Sequence, residues 1–414
     1  MSTVTKTIPV SSEKHGQSEA PNRIRLEYLD GLRGLAALYV MLAHAFTLGT
    51  VATGQVRSSF SPLFYFITRG LSYPHYAVAV FIVLSGFCLM LPVARSKDRA
   101  LSGGFLGFVK RRARRILPPY YVALAFVLCI LFVSHHFAKH ESAEQADLSV
   151  RNIAYHLLLI HNLFSKYNMA LDGPMWSAAW EWQIYFLFAL ILLPIWRRFG
   201  ILWAVITGYL IGYSPILLLP TAANLSWTAP WYLGLFAMGM AAAVVLSSPI
   251  AQYRWIKNPN QQNTVLAVMA IVMLSITFLR PSWLDPDNFS WAVDPIIGAF
   301  TALLILACAN NPRSSWLHKT VVRGLESRVM MVLGTFSYSL YLVHYPILQK
   351  MRNTMVQHHV SDASRLALIY LVGVPVSLGA AYLFHLAFER PYMSKPAPKT
   401  ERQAEVAAIV NPAP

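Results

Sequence analysis

Two residues in the first apolar stretch have side chains that can do chemistry inside a membrane. Arg33 and His44 are the strongly polar groups in a run that otherwise consists mostly of Ala, Leu, Val and Met. An ionisable side chain at membrane depth costs several kcal/mol, so it is a candidate functional residue by default. They are eleven positions apart, close to three helical turns, so both lie on one helix face about 16 Å apart. They cannot touch each other, but a long ligand can touch both.

Such a ligand would be anionic at one end and reactive about 16 Å away. The guanidinium of Arg33 can hold a phosphate with its fork of donors, and a neutral His44 can accept a proton from an attacking hydroxyl. Coenzyme A thioesters have this form, because the thioester lies at the tip of a flexible pantetheine arm that leads away from the phosphates. The alternatives are that Arg33 snorkels to the membrane interface and that His44 bonds to a neighbouring helix. Because Arg33 and His44 share one helix face, it is less probable that both alternatives are true at once.

A second cationic group lies at 110–115, where five of the six residues are Lys or Arg. Contact with lipid headgroups or positive-inside anchoring is one interpretation of this segment, and phosphate binding is the other. Arg112 and Arg115, at i and i+3, share one face if the third apolar helix begins early. These two residues are therefore candidates for a phosphate-binding site.

Further polar candidates occur in the fourth and ninth apolar runs. Glu181 follows Trp176 and Ser177 closely, and a carboxylate in a membrane needs a partner or a proton. Glu181 is predicted to orient a histidine, to bind acceptor hydroxyls or to hold helices together. Tyr341 and His344 add a hydroxyl and a second imidazole, with helix–helix hydrogen bonding as the alternative. Trp176, Ser177, Tyr341 and His344 are the candidates for substrate binding, although Trp176 also suits an interfacial aromatic belt.

Composition identifies the class of protein. Of 414 residues, 56% are hydrophobic and 13% are charged, whereas a soluble domain carries about a quarter charged residues. The net charge of +16 is concentrated between apolar runs, which fits membrane topology better than nucleic-acid binding. Cys88, Cys129 and Cys308 lie far apart in apolar runs, with neither metal-ligand nor disulfide spacing, so we interpret them as small core residues.

The apolar runs predict an all-α polytopic membrane protein with about ten transmembrane helices. Lys and Arg are concentrated in the loops after the even-numbered runs, which predicts that both termini are cytoplasmic. Residues 1–27 and 391–414 are predicted to be disordered cytoplasmic tails around a membrane domain at 28–390. The apolar segment 153–160 is too short to span and is predicted to be an interfacial helix. The predicted spans are 32–48, 76–94, 116–137, 175–196, 201–219, 231–246, 265–279, 291–309, 333–348 and 366–388.

Six segments, in the same order along the chain, resemble the membrane acyltransferase family 3, which includes O-acetyltransferases of surface polysaccharides. The first is 29–35 together with His44, which is similar to the family's Arg-x10-His signature. The resemblance implies transfer of an acyl group, usually acetyl, from cytoplasmic acyl-coenzyme A to a hydroxyl, usually of a sugar. Acyl-coenzyme A would be a donor substrate, with no permanently bound cofactor. The other five segments are 81–87, 112–118, 176–181, 338–344 and 389–391.

The resemblance also implies roles for individual residues. His44 corresponds to the catalytic histidine and Arg33 to its essential partner, with Arg112 and Arg115 as donor-site candidates. Some family members carry a fused extracytoplasmic esterase-like domain that this sequence lacks, so we expect it to act alone or to pass the acyl group to a separate partner. Ile82 stands where Phe is commoner in the family.

The predicted setting is a bacterial inner membrane. Expected partners are membrane lipids, acyl-coenzyme A and a carbohydrate or glycolipid acceptor, with a homo-oligomer left open; no metal site and no nucleic-acid partner are expected. The main alternative function is a transporter or flippase of a lipid-linked or exported saccharide, although no internal repeat supports it. A sensor or scaffold built on an inactive fold is the third interpretation.

Overall fold

Long apolar helices make up the architecture, as the hydropathy of the sequence predicts. The computed structural model describes residues 27–50, 60–137, 147–254, 256, 258–279, 289–310 and 315–393. Within those residues the regular elements are helices, and no strand occurs. The α-helices are α1 (Glu27–Thr50), α2 (Pro62–Ile67), α3 (His75–Arg95), α4 (Gly104–Phe137), α5 (Val150–Leu157), α6 (Met175–Leu187), α7 (Leu193–Phe199), α8 (Ile201–Leu218), α9 (Tyr232–Ser247), α10 (Pro259–Leu279), α11 (Ser290–Asn310), α12 (Arg323–Leu325), α13 (Arg328–Thr335), α14 (Ser337–Gln357), α15 (Asp362–Leu368) and α16 (Val374–Phe384).

In the described part of the chain, nine helical segments are long and apolar enough to cross a membrane. They coincide with nine of the ten predicted spans. The predicted span 333–348 is instead divided between α13 and α14, and α14 is less apolar because its second half carries Lys350 and Arg352. Other helices bury most of the first half of α14, so it does not need a lipid-facing surface. The predicted tails lie outside the described residues except for Glu27, the first residue of α1, and 391–393. The cytoplasmic location of the termini stays a prediction.

Helices α3 and α9 approach each other at backbone distance. A Cβ added at Gly86 would lie 2.0 Å from the carbonyl oxygen of Phe236, and one added at Gly239 would lie 2.0 Å from that of Val83. Small residues at such crossings let helices in a membrane pack closely. The segment 81–87 therefore has a packing role, and it fixes one wall of the candidate site.

Helix α1 is held near both of its ends. Near its beginning, a Cβ added at Gly31 would lie 1.8 Å from the carbonyl oxygen of Leu325, so only glycine permits this contact. At its end, the buried Arg365 donates to the carbonyl of Gly49 at 3.1 Å. That bond satisfies one of the carbonyls that a helix C-terminus leaves unpaired, and places a cation at the negative end of the helix dipole. These contacts fix the position of α1 along its axis.

A short helix lies between α4 and α6. The sequence predicts it at 153–160, and the structure has it at Val150–Leu157, three residues earlier. The side chain of Ser149 caps its N-terminus by accepting from a backbone N–H of the first turn, which explains the earlier start. The hydroxyl of Tyr120 in α4 donates to the carbonyl of His156 at 3.1 Å, so the segment is attached to the helix bundle. Its location at a membrane interface stays a prediction.

Candidate functional site

A cavity of about 240 Å³ lies between α1, α3, α4, α6 and α14. Its lining is part polar and part apolar, and it includes six of the residues that the sequence analysis selected. Residues from five helices far apart in the chain therefore meet at one place. The six are Arg33, Arg112, Arg115, Ser177, Glu181 and Tyr341.

Arg33 lines the cavity and is also anchored within it. Its guanidinium donates to Asp30 Oδ1 at 2.6 Å and to the Sγ of Cys88 at 3.0 Å. Arg33 thus bonds to a neighbour in its own helix and also lies beside a site. Cys88 is half-buried and lines the cavity, so it is more than a core residue. The contact between Arg33 and Cys88 could not be predicted from the sequence, because 55 positions separate the two residues.

Arg112 and Arg115 share the cavity with Arg33. The sequence predicts that the two arginines share one helix face if their helix begins early. It does, because α4 begins at Gly104, well before either arginine. The buried Nε of Arg112 has no hydrogen-bond partner among the described residues. A buried donor without a partner is unfavourable unless water or a ligand pairs with it, and a cationic donor favours an anion. This end of the cavity, which we call the arginine end, suits an anionic group.

Glu181 lies in the same cavity as the arginines. Its Oε1 accepts from the hydroxyl of Tyr185 at 2.6 Å. The spacing of i and i+4 on one helix could have predicted this contact. No contact between Glu181 and a histidine is found in the described residues, so the carboxylate is associated with the arginine end.

His44 and His344 form a hydrogen-bonded pair. The Nδ1 of His44 lies 2.9 Å from the Nε2 of His344, and the two rings stack with centroids 5.2 Å apart. The ring of Tyr345 lies edge-on to His44 at 5.0 Å. Both histidines are candidate site residues in the sequence analysis. They are 300 positions apart in the chain, and the fold brings them into contact. We call this the histidine end of the site.

The backbone determines which ring nitrogen carries a proton. The Nδ1 of His344 lies 2.7 Å from the carbonyl of Leu340, and a carbonyl only accepts, so this nitrogen is the donor. In the neutral pair the Nε2 of His344 is then an acceptor, and the Nδ1 of His44 must donate to it. This leaves the Nε2 of His44 with a free lone pair, as a general base or a nucleophile requires.

Tyr341 lies between the two ends of the site. It lines the cavity, and its ring centroid is 6.2 Å from that of His344. Its hydroxyl contacts the Oγ of Ser177, which also lines the cavity. Trp176, in contrast, is not among the residues that line the cavity, and its ring packs against that of Tyr232 at 6.0 Å.

A buried polar group in the segment between α4 and α6 was missed by the sequence analysis. Asp172 is 1% exposed, and neither of its carboxylate oxygens has a hydrogen-bond partner among the described residues. Burial raises the pKa of Asp172 well above its usual range. The rings of His156 and His161 stack at 3.7 Å, and burial lowers the pKa of His156 to about 4 and that of His161 to about 3. These residues lie in a region of loops and one short helix, where no extended periodicity marks them.

The chain is similar to known acyltransferases. Residues 26–386 match a protein family described as Acyltransferase domain. The chain is 27% identical over 404 residues to acyltransferase MdmB of Streptomyces mycarofaciens. That alignment covers 90% of this chain and 93% of MdmB. It is 22% identical over 383 residues to O-acetyltransferase OatA of Staphylococcus aureus; that alignment covers 89% of this chain but only 57% of OatA. No solved structure matches the chain.

Proposed function

This chain belongs to the acyltransferase family that it matches over residues 26–386, and we propose that it is a membrane O-acyltransferase. In this proposal it moves an acyl group, acetyl by default, from cytoplasmic acyl-coenzyme A to a hydroxyl of a sugar or glycoconjugate. The nine long apolar helices among its described residues and its family make it an integral membrane protein, for which we propose the bacterial plasma membrane. The observation that carries the proposal is the pairing of a cationic cavity with a histidine whose Nε2 is unprotonated, on one face of α1.

The arginine end would bind the donor. The unpartnered Nε of Arg112 and the nearby Arg115 offer positive charge to the phosphates, and phosphate accepts charge-assisted bonds from arginine well. Arg33 lines the same cavity, with part of its charge already balanced by Asp30. The pantetheine arm would then extend about 16 Å along α1 to His44.

The histidine end would perform the transfer. The Nε2 of His44 takes the proton of the acceptor hydroxyl as the oxygen attacks the thioester carbonyl. The carbon–sulfur bond breaks, the ester forms, and the proton passes from His44 to the leaving thiolate. If His44 accepts the acyl group first, the same Nε2 is the reacting atom. In both cases His344 orients the ring and shares the positive charge that develops on it.

The test is acyl transfer by the protein in membrane vesicles from expressing cells, which contain the natural acceptor. Wild-type protein should release coenzyme A thiol from acetyl-coenzyme A, and His44→Ala should abolish this release while the protein still inserts and binds the donor. His358→Ala is the matched control, because His358 is exposed and follows directly after the helix that carries His344. Full activity in His44→Ala would contradict the catalytic role.

The same experiment separates the alternative functions. A transporter or flippase of saccharides predicts no acyl transfer in any variant, together with movement of a labelled saccharide across vesicles. An inactive scaffold predicts no binding of acetyl-coenzyme A, which titration calorimetry at low and high salt measures directly.

A further inference from the structure

Tyr341 forms part of the cavity wall and lies next to the histidine pair, with its ring centroid 6.2 Å from that of His344. Its hydroxyl and that of Ser177 contact each other, and they lie 3.1 and 3.2 Å from the carbonyl oxygen of Pro174. The cavity lining includes Tyr341 and Ser177 but neither His44 nor His344. A donor held at the arginine end must therefore pass Tyr341 before its acyl group can reach His44.

We propose that Tyr341 is a specificity-determining residue that favours acyl transfer to the acceptor over hydrolysis. Bound to Ser177 and Pro174, it keeps the acyl group apart from His44 until an acceptor hydroxyl replaces the Ser177 hydroxyl as its partner. The inference rests on the proposed function in its direct form, in which His44 activates the acceptor hydroxyl and does not itself take the acyl group first.

The closed arrangement is favourable because its polar atoms are buried and paired. Tyr341 is 8% exposed and Ser177 is 5% exposed, and two hydroxyl protons serve three oxygen atoms there. Moving Tyr341 away leaves its own hydroxyl without these bonds, whereas Ser177 keeps its bond to the carbonyl of Pro174; a buried hydroxyl without a partner is unfavourable. The side chain therefore stays closed in the absence of something that replaces those bonds.

An acceptor can replace the hydrogen bonds that Tyr341 loses when it moves, and water cannot replace them equally well. A ligand shifts a conformational equilibrium only by its difference in affinity for the two states. The acceptor hydroxyl pairs with Tyr341, and the rest of the acceptor adds contacts that keep the open state. A water molecule forms the same bond and adds nothing further, so open states that contain only water are rare.

Both competing reactions are balanced acyl transfers from the same thioester. In transfer, the carbon–sulfur bond breaks, an ester bond to the acceptor oxygen forms, and the hydroxyl proton leaves on the thiol of coenzyme A. In hydrolysis, water replaces the acceptor, and the products are free acetic acid and the thiol. The ratio of ester to acetate therefore measures how well the site separates the two reactions.

The test compares this ratio in membrane vesicles from expressing cells, which contain the natural acceptor, supplied with radiolabelled acetyl-coenzyme A. Tyr341→Phe keeps the ring but loses the hydroxyl. We expect the ratio of base-labile membrane ester to free acetate to fall about three- to tenfold, the effect of one hydrogen bond. Ser177→Ala should act in the same direction. Tyr28→Phe is the control, because this buried hydroxyl donates to the carbonyl of Ile305 at 3.1 Å outside the cavity; its ratio should equal that of the wild type.

The outcomes distinguish this inference from the proposed function. If Tyr341→Phe and Ser177→Ala keep the wild-type ratio while His44→Ala stops both reactions, the role of Tyr341 is wrong and the acyltransferase function stands. If wild-type vesicles convert no more acetyl-coenzyme A than vesicles that lack the protein, both are overturned. If Tyr341→Phe does not accumulate in the membrane, Ser177→Ala decides alone.

Discussion

His344 holds His44 in a single tautomer. The Leu340 carbonyl accepts from Nδ1 of His344 at 2.7 Å, and Nε2 of the same ring accepts from Nδ1 of His44 at 2.9 Å. The proton positions thus follow from one backbone carbonyl, because that group can only accept. His44 and His344 consequently act as a unit, and changing either one affects the reactive nitrogen.

His344→Phe should lower kcat about 100-fold, because a ring without an acceptor no longer fixes the proton on Nδ1 of His44. The KM for acetyl-coenzyme A should change little, since the donor binds at the other end of the site. His344→Gln should recover part of the activity, as its amide oxygen can accept from His44. Initial rates of thiol release measure both parameters. If Gln and Phe are equally inactive in correctly inserted protein, His344 serves packing alone.

Arg112→Gln should raise the KM for acetyl-coenzyme A about tenfold or more, because it removes a charge-assisted bond to phosphate. The loss should shrink at high salt, where the wild-type interaction is itself screened. Arg111→Gln is the control, since Arg111 is exposed and donates to the carbonyl of Ser102. Steady-state kinetics at two salt concentrations test this. A fall in kcat with an unchanged KM would contradict the assignment of Arg112 to donor binding.

Gly86→Ala should destabilise the protein by about 3 kcal/mol or more, because the added Cβ meets a backbone carbonyl that cannot move independently. Gly379→Ala introduces the same methyl group where nothing lies within 4 Å, and it should be neutral or slightly stabilising. Thermal unfolding of the two variants in one detergent provides the comparison. Equal melting temperatures would show that α3 and α9 can separate without cost.

The contribution of His156 and His161 to stability should fall as the pH drops below 6.5, the usual pKa of histidine, whereas the raised pKa of Asp172 acts in the opposite direction. Their folded-state pKa values are lowered to about 4 and about 3, so between these values and 6.5 the unfolded chain binds protons that the folded chain does not. For His156 the loss is on the order of 3 kcal/mol at pH 4 and levels off below it. His156→Asn should flatten the dependence of melting temperature on pH. A variant with the wild-type slope would refute this.

The arginine end of the site could be predicted from sequence. The spacing of Arg33 and His44 on one helix, and of Arg112 and Arg115 on another, is a local property that helix geometry fixes. The contact between Arg33 and Cys88 could not be predicted, because it depends on how α1 and α3 pack. Nine spans predicted from hydropathy coincide with helices of the described residues. The tenth, 333–348, does not match the bounds of α14, since a helix enclosed by others is not required to be apolar.

The histidine end could be predicted only in part. His44 and His344 were both selected, but their contact and its tautomer depend on a fold that joins positions 300 apart. Orienting a histidine was one of three roles predicted for Glu181, but among the described residues it bonds to Tyr185 and shares the cavity with the arginines. Asp172 gave no signal, because its burial results from tertiary packing around a loop.

The close approach of α3 and α9 has a consequence for redesigning the enzyme. Ser85 and Cys88, which line the cavity, flank Gly86, where the helix backbone rests on its neighbour. This wall cannot retreat to admit a bulkier thioester. Variants meant to accept longer acyl chains should therefore be sought by trimming side chains such as Phe81, and libraries that target the glycines of α3 and α9 should yield mostly unfolded protein.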